Sequence, residues 1–157
     1  MRCLGLVLTL LFVALPVGSL AAADKLGSCL DRAATGNHPA DRDDRRQLCL
    51  KTFGAQTSLG RCLTVAHGFE YSGGAEDAKA FCALERTVHL SPADCKTVVR
   101  SMEYGEERDD VIWSCLQRLS LTISKSECRS LVHLMVLPFQ KDRAAVYCED
   151  EIKAAIP

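Results

Sequence analysis

Nine cysteines carry most of the potential chemistry in this chain of 157 residues. A thiolate can ligate zinc, exchange with a disulfide or act as a nucleophile, and two thiols can be oxidised to a cross-link. Spacing decides among these. Cys3 lies in an apolar N-terminal stretch; the other eight are Cys29, Cys49, Cys62, Cys82, Cys95, Cys115, Cys128 and Cys148. Their separations are 20, 13, 20, 13, 20, 13 and 20 residues, so C-x19-C-x12-C recurs with a period of 33. No C-x-x-C is present, which excludes a thioredoxin-like redox pair and the close cysteine pairs of zinc ribbons and fingers. An even set of regularly spaced cysteines in an exported chain reads as a disulfide framework.

The remaining side chains suggest no reaction. His67 and His133 share a repeat position two units apart, on the order of 20 Å at ordinary helix spacing, too far to share a metal. His38 and His89 stand alone. No G-x-S-x-G, H-E-x-x-H, P-loop or dinucleotide fingerprint occurs. The acidic runs Glu106-Glu107-Asp109-Asp110 and Glu149-Asp150-Glu151 read as solvated helix faces rather than an acid–base dyad. The expectation is a non-enzyme with no catalytic, cofactor-binding or metal residues.

The cysteine period must be carried by repeated elements, and each unit reads as two helices. Ser58, Ser91 and Ser124 stand four residues before a repeat-opening cysteine and mark helix starts. Asp94 and Glu127 follow three residues after their serines, as in a capping box, and Pro92 suits the first helical position. Apolar residues then fall at i, i+3, i+4 and i+7: Cys62, Val65, Ala66, Phe69; Cys95, Val98, Val99, Met102; Cys128, Leu131, Val132, Met135. Ser72-Gly73-Gly74, Gly105 and Pro138 read as breakers between the helices. The second helices carry Val111, Ile112, Cys115, Leu116 and Leu119, or Ala144, Ala145, Cys148 and Ile152. The fold class is therefore all-α: four disulfide-stapled helical hairpins stacked as a short α-solenoid or compact bundle. The units span about 25–57, 58–90, 91–123 and 124–157, within one domain of residues 24–157. Unit one keeps the cysteine spacing but has Arg32 and Gly36 at apolar positions, so it reads as an N-terminal cap with a polar loop over 36–46.

Residues equidistant from a hairpin turn face each other. Cys95 and Cys115 lie ten residues either side of Gly105, which favours pairing within units. The rival links Cys82 to Cys95 across the inter-unit turn; it would strand Cys29 and Cys148, whereas pairing within units uses all eight.

Residues 1–23 read as a secretory signal peptide, with an arginine, an apolar run from Leu4 to Val17 and small residues at Ala21–Ala23. A membrane anchor is the alternative, but the run is short for a span and no second stretch reaches that length. The mature chain is thus expected to be secreted or periplasmic, with no stable membrane insertion. Nineteen basic residues against 20 acidic argue against a non-specific nucleic-acid binder.

The segment from Cys82 through Leu90-Ser91-Pro92 to Cys95, echoed by Cys115 to Cys128, resembles the inter-helix stretch of the cysteine-rich repeats of Golgi-type glycoproteins and their bacterial relatives. Those repeats are longer and usually have four cysteines; the extra pair is missing here. The resemblance implies a binding role in the secretory pathway or cell envelope, without catalysis.

The expected function is an exported, disulfide-stabilised module that binds a partner protein and needs no cofactor. Glu70-Tyr71 and Glu103-Tyr104, expected to close the first helices of units two and three, are the candidate partner surface. The alternative is a carrier of a small apolar ligand or lipid between helices. Small residues such as Ala78, Ala83 and Ala145 should let helices approach closely, so no enclosed apolar pocket of about 300 Å³ is expected.

Overall fold

The computed structural model describes residues 18–86 and 89–152, with side chains from residue 25 onward. Most of the expected signal peptide, residues 1–17, lies outside the described residues. Eight α-helices follow in order: α1 (Gly18–Ala33), α2 (Pro39–Phe53), α3 (Leu59–His67), α4 (Ser72–Leu84), α5 (Pro92–Ser101), α6 (Gly105–Leu119), α7 (Lys125–Val132) and α8 (Pro138–Asp150). No strand occurs among the described residues. Successive helices pair as hairpins, and each hairpin is closed by its own disulfide: Cys29–Cys49, Cys62–Cys82, Cys95–Cys115 and Cys128–Cys148. Pairing is within units, as the hairpin geometry favours. Each bridge closes a loop of about 20 residues, worth roughly 3 kcal/mol through the unfolded chain.

The serines start the first helices of units two to four. Ser58, Ser91 and Ser124 are the N-caps of α3, α5 and α7, accepting from the N–H of Arg61, Asp94 and Glu127. The capping box is complete at Ser91–Asp94 and Ser124–Glu127; Arg61 leaves the third cap one-sided. These helices are short, so Phe69, Met102 and Met135 fall beyond the helix ends, in the hairpin turns. Met102 and Met135 are buried there all the same.

The turns lie a few residues earlier than the Gly/Pro pattern predicts. Ser72, Gly105 and Pro138 each occupy the first position of a second helix. Proline is harmless there because that N–H has no intrahelical acceptor. The glycines serve close approach. A Cβ on Gly105 would stand 2.5 Å from Val136 Cγ2, and one on Gly74 would stand 2.9 Å from Phe69 Cδ1. Unit one is corrected likewise. The polar stretch 36–46 is mostly helix, because α2 opens at Pro39 and leaves only residues 34–38 as the turn.

The second helices stack on one another, α2 on α4, α4 on α6 and α6 on α8, while α5 also meets α7. One core runs through units two to four and reaches Leu50 of unit one. A separate small cluster joins Leu26, Ala33 and Cys49 with Cys29, Leu30 and Phe53. The N-terminal unit is thus atypical in its core, as expected of an end repeat. Ala145, expected to face the core, is exposed on the outer side of α8.

Candidate interaction surface: capped hairpin turns and an open end

The second helices have poor caps of their own. Their N-cap residues are His38, Tyr71, Tyr104 and Leu137, spaced by 33, and none makes a side-chain cap. An acid from the preceding unit supplies it instead. Asp43 of α2 accepts from the N–H of Glu70 (2.9 Å) and Tyr71 (2.9 Å). Glu76 of α4 accepts from Glu103 (3.0 Å) and Tyr104 (3.4 Å). Asp109 of α6 accepts from Val136 (3.0 Å) and Leu137 (2.8 Å). Each carboxylate therefore meets the positive end of the next unit's helix through two otherwise unpaired donors. The contact fixes the register of one unit on the next.

All three acids are buried, and Asp109 is fully inaccessible. Placing Asp109 on a solvated face is therefore corrected. Its charge is compensated by the turn amides of the next unit. Units one and two add a cation at i+3: Arg46 lies 2.8 Å from Asp43, and the buried Lys79 lies 2.6 Å from Glu76. Unit three has Ile112 in that position.

The sequence reading missed this device, although its signal was present. Asp43, Glu76, Asp109 and Asp142 are spaced by 33, but the Asp/Glu alternation hides the match. The neighbouring identity of Asp77 and Asp110 is easier to see, yet both of those side chains are exposed.

Docking the turn backbones leaves their side chains outside. Tyr71, Tyr104 and Leu137 are all exposed at the same repeat position, beside the exposed Val136 and Phe139. Tyr104 Oη shares a hydrogen bond with Ser72 Oγ, and Val136 lies over Gly105. The turns of units two, three and four thus form a ridge along one edge of the array.

The four expected surface residues all lie in this region, with different roles. Glu70 and Glu103 are not at the ends of α3 and α5. They precede the N-caps of α4 and α6, where negative charge is favoured by the dipole. Glu70 is tied to unit one, accepting from Arg42 Nε (2.6 Å), Arg42 Nη2 (2.7 Å) and Arg46 Nη1 (3.3 Å). The hydrogen bond from Arg42 holds the Glu70 carboxyl below the ordinary carboxylate value. The Glu103 side chain is exposed, and its backbone N–H is held by Glu76.

At the C-terminal end, α7 and α8 leave a cleft of about 650 Å³ open to solvent. Arg129, Lys141, Asp142, Glu149 and Asp150 give it charged walls; Val132, Ala145 and Val146 supply the apolar part. It exceeds the expected pocket volume, and it is open rather than enclosed, with a largely apolar floor under the charged rim. His67 and His133 are exposed at the ends of α3 and α7, and no cluster of three potential metal ligands occurs among the described residues.

The fold and these surfaces define a class: an array of four disulfide-stapled helical hairpins, joined through buried carboxylate caps. No family model, curated protein sequence or solved structure matches the chain.

Proposed function

We propose that the protein is an exported, non-enzymatic module that binds a partner protein along the ridge of hairpin turns. The observation that carries this reading is the repeated exposure of Tyr71, Tyr104 and Leu137 on one edge. Tyrosines present a large apolar face with a polar tip and lose little side-chain entropy on binding, which suits them to protein interfaces. Four disulfides support an oxidising, extracellular-type compartment, in keeping with the N-terminal segment read as a signal peptide and with the Golgi-type resemblance. The carrier reading has less support, since the end cleft is open to solvent rather than enclosed.

The test is chemical cross-linking in the exported fraction, comparing the native protein with the triple variant Tyr71→Ala, Tyr104→Ala, Leu137→Ala. All three side chains are exposed, so the variant should keep its disulfides and melting temperature. It is expected to lose a cross-linked protein that the native chain captures. Equal capture by the variant would contradict the ridge as the binding surface. Lipid co-purifying near one-to-one would contradict the protein-binding reading.

A further inference from the structure

The carboxylate cap recurs at three internal junctions, but its acid is present in four units. Asp142 of α8 stands 33 residues after Asp109 and is exposed at the open end, accepting no hydrogen bond among the described residues. The matching donors lie at the opposite end of the chain. Asn37 and His38 occupy the positions of Glu70 and Tyr71, and neither N–H has an acceptor among the described residues. His38 is the N-cap of α2 and makes no side-chain cap. One end therefore has a cap without a helix, and the other a helix without a cap.

The surrounding side chains repeat the same complementarity. Trp113 of unit three packs on Tyr147 of unit four, ring centroids 5.2 Å apart. Moved on by 33 residues, Trp113 becomes Val146, which is 59% exposed. Moved back to unit one, Tyr147 becomes Leu48, which is 64% exposed. Charge differs in the same sense. Arg45 is exposed where Ala78, Val111 and Ala144 are buried, so that position faces a preceding unit. Glu149 is exposed where Leu50, Ala83 and Leu116 are buried, so that position faces a following one. At these two positions the N-terminal face bears a cation and the C-terminal face an anion, the latter beside Arg129.

We propose that the C-terminal face of unit four binds the N-terminal face of unit one in a second copy, head to tail, with Asp142 capping α2 of the incoming chain at Asn37 and His38. The contact continues a junction the chain already makes three times. It rests on Asp142, Val146 and Leu48 rather than on the ridge residues Tyr71 and Tyr104, and it lies at the end of the same row of turns. Because the two faces differ, the contact is heterologous and builds open chains unless its rotation closes a ring. Glu149 keeps it weaker than the internal junctions: its carboxylate is held by Arg129 at 2.7 Å and approached by Lys125 at 3.8 Å. That pair must be partly dehydrated on docking.

The experiment uses the mature, disulfide-bonded protein in sedimentation equilibrium from about 1 µM to about 1 mM, the range in which weak protein contacts assemble. The native chain is expected to gain mass with concentration. Asp142→Lys, which disables the C-terminal face, and Leu48→Glu, which disables the N-terminal face, should each weaken association about tenfold to a hundredfold. Both residues are exposed, and an unchanged melting temperature checks that each variant folds. Mixed together, the two variants should form a one-to-one heterodimer, because one intact face of each kind remains. A ridge variant confined to Tyr71 and Tyr104, away from unit four, should associate as the native chain does, so failure here and failure of the ridge reading are distinguishable. A native chain that stays monomeric throughout would overturn the proposal, leaving the face to residues 153–157 or to another protein. Association insensitive to Asp142→Lys would overturn it, as would variants that fail to complement, which marks a symmetric contact.

Discussion

The first and third junctions use the same cap in opposite surroundings. Between units one and two, Asp43 sits among charges: Arg46 binds it, and Arg42 and Arg46 both reach across to Glu70. Between units three and four, Asp109 has no such cation among the described residues. Its neighbours in the repeat, Ile112 and Leu116, are fully buried, and Trp113 packs on Tyr147 with Arg143 above its ring at 4.6 Å. The carboxylate-to-turn contact stays the same while everything around it changes. The backbone contact thus sets the register, and the surroundings set how much depends on it. Losing the acid in the charged junction leaves other polar links across the gap. Losing it in the apolar junction strands two amides with few substitutes nearby.

The largest effect should come from the covalent staples. Replacing Cys95 and Cys115 by Ala should cost about 3 kcal/mol, read by denaturant unfolding. The same change at Cys29 and Cys49 should cost less, because unit one has its own small core and only one neighbouring unit among the described residues. Equal losses would break the contrast between the ends and the middle. Next, Asp109→Ala should cost about 2–3 kcal/mol, through lost charged hydrogen bonds and a lost helix cap. Asp43→Ala should cost about 1 kcal/mol, since Arg42, Arg46 and Glu70 still bridge the junction. The reverse order would show that the charged junction is the stronger one.

The smallest effect is a pH dependence. The Glu70 and Glu127 carboxyls are held below their ordinary value of about 4.5, Glu70 by the bond from Arg42 and Glu127 by the bond from the Ser124 hydroxyl. A carboxyl with a lowered folded pKa contributes stability that is present above its unfolded pKa and lost as pH falls through the folded one. Thermal stability should therefore decline below about pH 4.5. Arg42→Ala should remove the Glu70 share of that slope, and an unchanged slope would place the acid sensitivity elsewhere.

The cysteine framework was legible because a covalent bridge between two helices imposes a fixed spacing, and the spacing survives whatever else changes. The serine-capped starts of α3, α5 and α7 were legible for a similar reason: the cap is local in sequence. The hairpin turns were displaced because Gly105 and Pro138 read as breakers, whereas one admits Val136 and the other opens a helix. The acid caps were not legible from one unit, because Asp109 gains its partners only when the next hairpin docks, 27 and 28 residues further on. Taken alone, a charge in an acidic run reads as solvated. The exposed ridge follows from the caps, so only its tyrosine and glutamate members could be singled out in advance.

The most direct test is amide hydrogen exchange, followed by NMR, at the donor pairs of the four turns. The N–H groups of Glu70 and Tyr71, Glu103 and Tyr104, and Val136 and Leu137 should be protected in the native protein, while those of Asn37 and His38 exchange freely in the dilute monomer. In Asp109→Ala, protection should fall at Val136 and Leu137 and persist at the other two capped turns. Equal protection at Asn37 and His38, or unchanged protection at Val136 and Leu137 in the variant, would contradict the carboxylate cap as the device that joins the units.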